Sequence, residues 1–270
     1  MLIIAKRQYS DAEASGVLTN LRQYFPHSIE RNPEHDLQAV ISGNLSETVA
    51  ALALHMFEDG NGLPNARECL REGTALGLEY FCGDWRGGVR QFDRRKSEFD
   101  AGYHIMWIDD LRNALLMSVL NEDVQATAKL ASWVRDDLEP HPHDREWSAA
   151  DVLYYKALAA HIRGELAPYL AVLGETKGAK TKRARLLGAA LNELAAGDGA
   201  EFLKALTKYV QYWRKSERRP NRVDHALCAD GNILLGLAQQ EGVVSADEIR
   251  RAFGDLVLHL DKLTTASTDP

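Results

Sequence analysis

The sequence predicts an all-α protein of antiparallel helical hairpins, arranged as a bundle or a repeat-like array. Three observations lead there. Apolar residues recur at helical spacing in successive windows of the 270-residue chain, with little sustained two-residue alternation. Turns of two to four residues separate many of the periodic segments, and connections that short make consecutive helices antiparallel neighbours. Apolar residues make up 45% of the chain and charged residues 26%, which supports a buried core and excludes wholesale disorder, collagen and a disulfide-dense scaffold.

Each expected element has its own start and stop signals. Ser10 and Asp11 can cap a first helix whose Leu18, Leu21 and Phe25 form a stripe before Pro26. Residues 33–43 read as a short second helix through Leu37, Val40 and Ile41, closed by Gly43. Asn44 and Glu47 have capping-box spacing, so a third helix is expected to open there and continue through Leu45, Val49, Leu52, Leu54 and Met56. Asp59-Gly60-Asn61-Gly62 ends it. Pro64, favoured in a helical first turn, starts a long segment with Leu70, Leu76, Leu78 and Phe81 on its apolar face. Gly83, Gly87 and Gly88 then break the rhythm, and residues 84–99 read as an exposed loop or one short β-hairpin tipped by Arg94-Arg95-Lys96. Asp100 caps the next expected helix, buried through Ile105, Ile108, Leu111, Leu115 and Val119, and residues 124–138 follow with Leu130, Trp133 and Val134.

Pro140 and Pro142 remove backbone donors and push their preceding residues into extended conformations, so residues 139–144 are not helical. The chain is expected to be a single helical domain, 1–270, with a sub-boundary at 139–147 between an N-terminal half, 1–138, and a C-terminal half, 148–270. Helices are expected over 148–162, 180–196, 201–216 and 223–240, with a shorter one around Tyr169, Leu170 and Leu173. A last one starts at Ser245, where Ser245 and Glu248 form a capping box. The hairpin starts are too unevenly spaced for a tetratricopeptide array.

Composition narrows the function classes. No apolar run approaches the ~20 residues that span a bilayer, and residues 1–5 are too brief for a signal sequence, so a cytoplasmic location without membrane contact is expected. Cys69, Cys82 and Cys228 include no Cys-x-x-Cys pair and are expected to be reduced core fillers. The formal net charge is −7, yet residues 175–222 carry twelve Lys and Arg against five Asp and Glu, a local +7 that leaves −14 on the remainder. Such polarity can steer an oppositely charged protein partner.

The search for chemistry returns little. His141, His143 and Asp144 stand together, but Pro142 stiffens the segment and no further ligand lies near in sequence, so no metal is expected. His225 and Cys228 would share one face of a helix with Asp230 nearly opposite His225, which reads as a core-facing cysteine beside a capping or interfacial histidine. No nucleophile elbow, phosphate-binding loop or dinucleotide fingerprint occurs. The acid pairs Asp109-Asp110 and Asp136-Asp137 consist of neighbours that point about 100° apart on a helix, so they read as solvated faces or partner contacts rather than catalytic dyads. No catalytic residue and no cofactor is expected. Lys177, Lys180, Lys182, Arg183 and Arg185, with Arg214, Lys215, Arg218, Arg219 and Arg222, are phosphate-capable, and Tyr209, Tyr212 and Trp213 between them have stacking chemistry. A helical-repeat adaptor or nucleic-acid-binding protein using residues 177–222 is therefore the alternative reading, although the acidic total disfavours nucleic acid.

A more specific pattern runs from Asn65 to Gly242. A long helix leads into the charged irregular segment 84–99 and then an aromatic-bearing helix near Tyr103-His104-Ile105-Met106-Trp107. Ala205-Leu206-x-x-Tyr209-x-x-Tyr212-Trp213 follows, then Glu217-Arg218-x-Pro220. Next comes a helix from Ala226-Leu227 through Leu234-Leu235-x-Leu237-Ala238 to Glu241-Gly242. This layout resembles the immunity protein 49 family, all-helical proteins that neutralise toxins of bacterial polymorphic toxin systems. The resemblance covers roughly two thirds of the chain, excludes its first 60 residues, and lapses after Gly242 at Val243-Val244. It implies a cytoplasmic, non-catalytic inhibitor that binds one cognate toxin and blocks its active site or substrate approach. It transfers no toxin-contacting residue. For a basic toxin, the expected contacts are acidic helix-end surfaces at Asp109, Asp110, Asp136, Asp137 and Glu139, with Trp85 and Trp147 as aromatic anchors beside irregular segments.

Overall fold

A computed structural model describes residues 2–3, 37–57, 63–83, 108–134, 148–165, 182–216, 227–254 and 257–258. They are almost entirely helical: α1 (Leu37–Phe57), α2 (Leu63–Cys82), α3 (Ile108–Leu120), α4 (Val124–Trp133) and α5 (Ala149–Ile162). The C-terminal part adds α6 (Lys182–Ala196), α7 (Gly199–Ser216), α8 (Ala229–Gln240) and α9 (Ala246–Phe253). Two two-residue strands, β1 (Leu2–Ile3) and β2 (Val257–Leu258), pair antiparallel, with Leu2 opposite Leu258 and Ile3 opposite Val257. The all-α expectation holds. The 84–99 hairpin, the 139–147 sub-boundary, and the expected helices at 10–25 and near Tyr169 lie outside the described residues.

Several boundaries follow directly from local chemistry. Ser148 caps α5 through a reciprocal box with Asp151, and Ser245 caps α9 through the same arrangement with Glu248. Asp123 caps α4 by accepting from the Ala126 N–H at 2.9 Å, satisfying a donor that the helix itself leaves unpaired. Gly164, Gly197 and Gly242 follow α5, α6 and α8 with positive φ, the conformation that lets a helix end tightly.

Three boundaries depart from expectation. Gly43 does not stop a helix and Asn44 does not open one, because α1 runs unbroken across both. Ile41, Leu45, Val49 and Leu52 are buried at continuous helical spacing, and that packing outweighs the ~1 kcal/mol that one interior glycine costs. α4 ends at Trp133 rather than continuing to 138, since Val134 is already extended, with φ −71 and ψ 115. α8 begins at Ala229 rather than at 223, with Cys228 as its N-cap residue at φ −77 and ψ 75, and His225 lies outside the described residues.

The helices pack as hairpins that share one core. α1 lies on α2, α2 on α3, and α6 on α7, while α3 and α8 join the two parts of the chain. A single cluster of buried apolar side chains extends from Ile41 in α1 to Phe253 in α9. Between α2 and α3 the contact is close because it is made by small residues: a Cβ on Gly77 would stand 2.7 Å from that of Ala114. α3 and α8 run in the same direction, with Val119 against Gly236 and its carbonyl accepting from Gln240 Nε2 at 2.9 Å. Arg163, just beyond α5, donates from Nη1 to the carbonyls of Ala131 and Val134 at 2.7 and 3.3 Å. The Ala131 carbonyl also accepts from the Val134 N–H at 3.1 Å, so the guanidinium is a second donor there and ties the end of α5 to the end of α4.

Candidate functional site

The most concentrated chemistry is internal, where the first turns of α6 and α8 meet the middle of α5 and of α7, with Arg112 of α3 beside them. Asp230 stands in the first turn of α8, where negative charge is favoured by the helix dipole, and is only 2% exposed. The Tyr155 hydroxyl of α5 donates a short hydrogen bond to its Oδ1. Arg183 Nη2 of α6 donates to Oδ2 at 2.9 Å, and the Tyr209 hydroxyl of α7 reaches the same oxygen at 3.3 Å. Arg112 of α3 adds a second positive charge and is itself paired with Asp109 at 2.6 Å. One carboxylate thus draws together side chains from four other helices. Tyr154, fully buried, packs edge-on to Tyr155 with 5.1 Å between ring centroids.

The electrostatics show what this arrangement does chemically. Burial alone would push the Asp230 carboxyl up, but the Arg183 and Arg112 charges and the hydrogen bonds from Tyr155 and Arg183 outweigh it, holding the group below its ordinary range. Burial, reinforced by the Asp230 charge, pushes the Tyr154 and Tyr155 phenols well above theirs. A carboxylate made less basic and phenols made less acidic are ill suited to proton transfer near neutral pH. The thiols point the same way. Burial, then the Glu72 and Glu68 charges, raises Cys69 to about 11, and burial raises Cys82, so neither is a poised nucleophile. None of the three cysteines forms a disulfide among the described residues. The Asp230 cluster is a structural tie.

The structure separates the residues that sequence spacing suggested for partner binding. Asp109 is partly exposed, but its carboxylate is held by Arg112. Asp110 is 3% exposed, which corrects the reading of a solvated acidic face: its position turns inward toward the core rather than out with Asp109. Asp136, Asp137, Glu139, Trp85, Trp147, His141 and His143 lie outside the described residues. Of the three rings in the alternative nucleic-acid reading, Tyr209 and Trp213 are buried, while Lys182 Nζ lies 5.6 Å over the partly buried ring of Tyr212. Arg183 is drawn inward, its side chain 13% exposed, to pair with Asp230.

Spacing alone does not reveal this tie. Arg183 reads as one of five clustered cations and Asp230 as a residue nearly opposite His225, and no sequence motif singles out Tyr155. The only local hint is a carboxylate in the first turn of an otherwise apolar helix. Among the described residues, no group of three or more His, Cys, Asp or Glu side chains is placed to hold a metal ion, and no helix is long and apolar enough to cross a membrane. Comparison with protein families, with curated proteins and with solved structures returns no match.

Proposed function

We propose that this chain is a non-catalytic immunity protein that binds a cognate toxin in the bacterial cytoplasm and blocks its active site or its substrate approach. The observation that carries this reading is where the family-like pattern falls. Leu206, Tyr209 and Trp213 of α7 and Leu234, Leu235, Leu237 and Ala238 of α8 are all buried, so the residues that carry the resemblance form a packing pattern around the Asp230 tie. Supporting it, the Asp230 carboxylate is bonded inside the core to the Tyr155 hydroxyl and the Arg183 guanidinium, which leaves the charged outer helix faces for recognition of a partner. The reading needs neither a cofactor nor turnover. Nucleic-acid binding through 177–222 is the weaker reading, because two of its three stacking rings are interior.

Co-expression tests it. Cells producing the toxin domain encoded beside this gene are expected to survive when the chain is co-produced, and the two proteins to co-purify. Absence of both protection and binding, or robust turnover by the purified chain in a substrate screen, would remove the proposal.

A further inference from the structure

The antiparallel α6–α7 hairpin has two chemically different ends. Its turn end carries Glu193, Asp198 and Glu201, and Lys204 there is already paired with Glu201 at 2.9 Å. Its open end carries Lys182 and Arg185 from the start of α6 and Arg214 and Lys215 from the last turn of α7, with Lys208 about two turns further in along α7, all five exposed. Lys182 over the Tyr212 ring shows that the two sets are neighbours. Among the described residues, none of the five forms an ion pair. The Asp230–Arg183 pair sets this geometry: with Arg183 drawn inward, Lys182 and Arg185 in the same helical turn face solvent.

We propose that this cationic face (Lys182, Arg185, Lys208, Arg214 and Lys215) is the docking surface for an acidic face of the toxin, a proposal that rests on the immunity reading. Charge is the recognition element, because no large apolar side chain of α6 or α7 is exposed. Two observations favour an acidic protein over nucleic acid: the stacking rings Tyr209 and Trp213 are buried, and the chain outside 175–222 carries −14, which repels a long polyanion. A protein partner needs only a local acidic patch, and such a patch would be steered to this face.

The test is association of the full-length chain with the toxin domain encoded beside its gene, followed by stopped-flow fluorescence at ~50 and ~300 mM salt. The combined reversal K182E, R185E, K208E and K215E is expected to slow association at least ~10-fold at low salt, with the gap closing at high salt and dissociation little changed. Far-UV circular dichroism and melting check the fold. Should the fourfold variant not fold, R185E and K208E are measured singly, each with an expected ~3-fold loss in association rate. Association at the wild-type rate in the folded variants would overturn this proposal while the immunity reading stands. Slowed association only on reversal of Asp136, Asp137 and Glu139 would overturn it equally, by moving the contact to acidic surface. Salt-dependent retention of a single-stranded oligonucleotide that is lost on reversal, with toxin association unaffected, would assign the face to nucleic acid instead. A wild-type chain that does not bind the toxin would end both readings.

Discussion

The α2–α3 contact and the Asp230 cluster hold neighbouring parts of the same core by opposite means. At α2–α3 the helices approach through Gly73, Gly77 and Ala114, with Met117 filling the gap. At the Asp230 cluster, side chains from four other helices converge on one buried anion. Close packing of small residues is tolerant of chemistry and intolerant of volume. A buried ion cluster tolerates little change in chemistry, since removing one member strands the others without compensation. The two contacts should therefore fail under different substitutions.

The largest effect is expected at the anion. Asp230→Ala leaves Arg183 and Tyr155 without their acceptor and should cost about 3–5 kcal/mol in chemical denaturation, enough to threaten the fold. The pH dependence sharpens the point. Because its folded-state pKa is lowered, Asp230 stabilises fully above the unfolded carboxylate value of ~3.9, and that contribution is lost as pH falls through the lower folded value. The Tyr154 and Tyr155 phenols have the opposite sign: their contribution is present below the unfolded phenol value of ~10 and is lost as pH rises toward the raised folded values. Denaturation series across both limbs should show a plateau between them, and Asp230→Asn should flatten the acid limb selectively.

Tyr155→Phe removes one hydrogen bond to a charged acceptor while keeping the ring, and should cost about 1.5–3 kcal/mol. Tyr209→Phe, whose bond is 3.3 Å long, should cost visibly less in the same assay. At the contrasting contact, Gly77→Leu should destabilise by about 1–3 kcal/mol through overpacking, because the Ala114 Cβ has no rotamer by which to yield. Its pH profile should match that of the parent chain, which separates a volume defect from a charge defect. Ser148→Ala lies outside both contacts and should cost only about 1 kcal/mol, the usual worth of an N-cap, measured by urea titration.

Helix periodicity and capping chemistry are local, and for that reason they were readable from the chain alone. Ser148, Ser245 and Asp123 mark helix starts because each side chain bonds a backbone donor only three residues away. Leu70, Phe81, Leu111, Leu115 and Leu130 announce buried stripes through spacing, and the structure buries them. The all-α class therefore followed from sequence alone. Other outcomes were tertiary decisions. Whether Gly43 ends a helix depends on the packing available to Ile41 and Leu45, and whether Asp110 meets water depends on which neighbour covers it. Above all, the partnership of Arg183 with Asp230 spans 47 residues and that of Tyr155 with Asp230 spans 75. A charge in isolation prefers water, so its sequence signature is that of a surface residue. Only the convergence of several helices supplies the opposite charge and hydrogen bonds that make burial favourable.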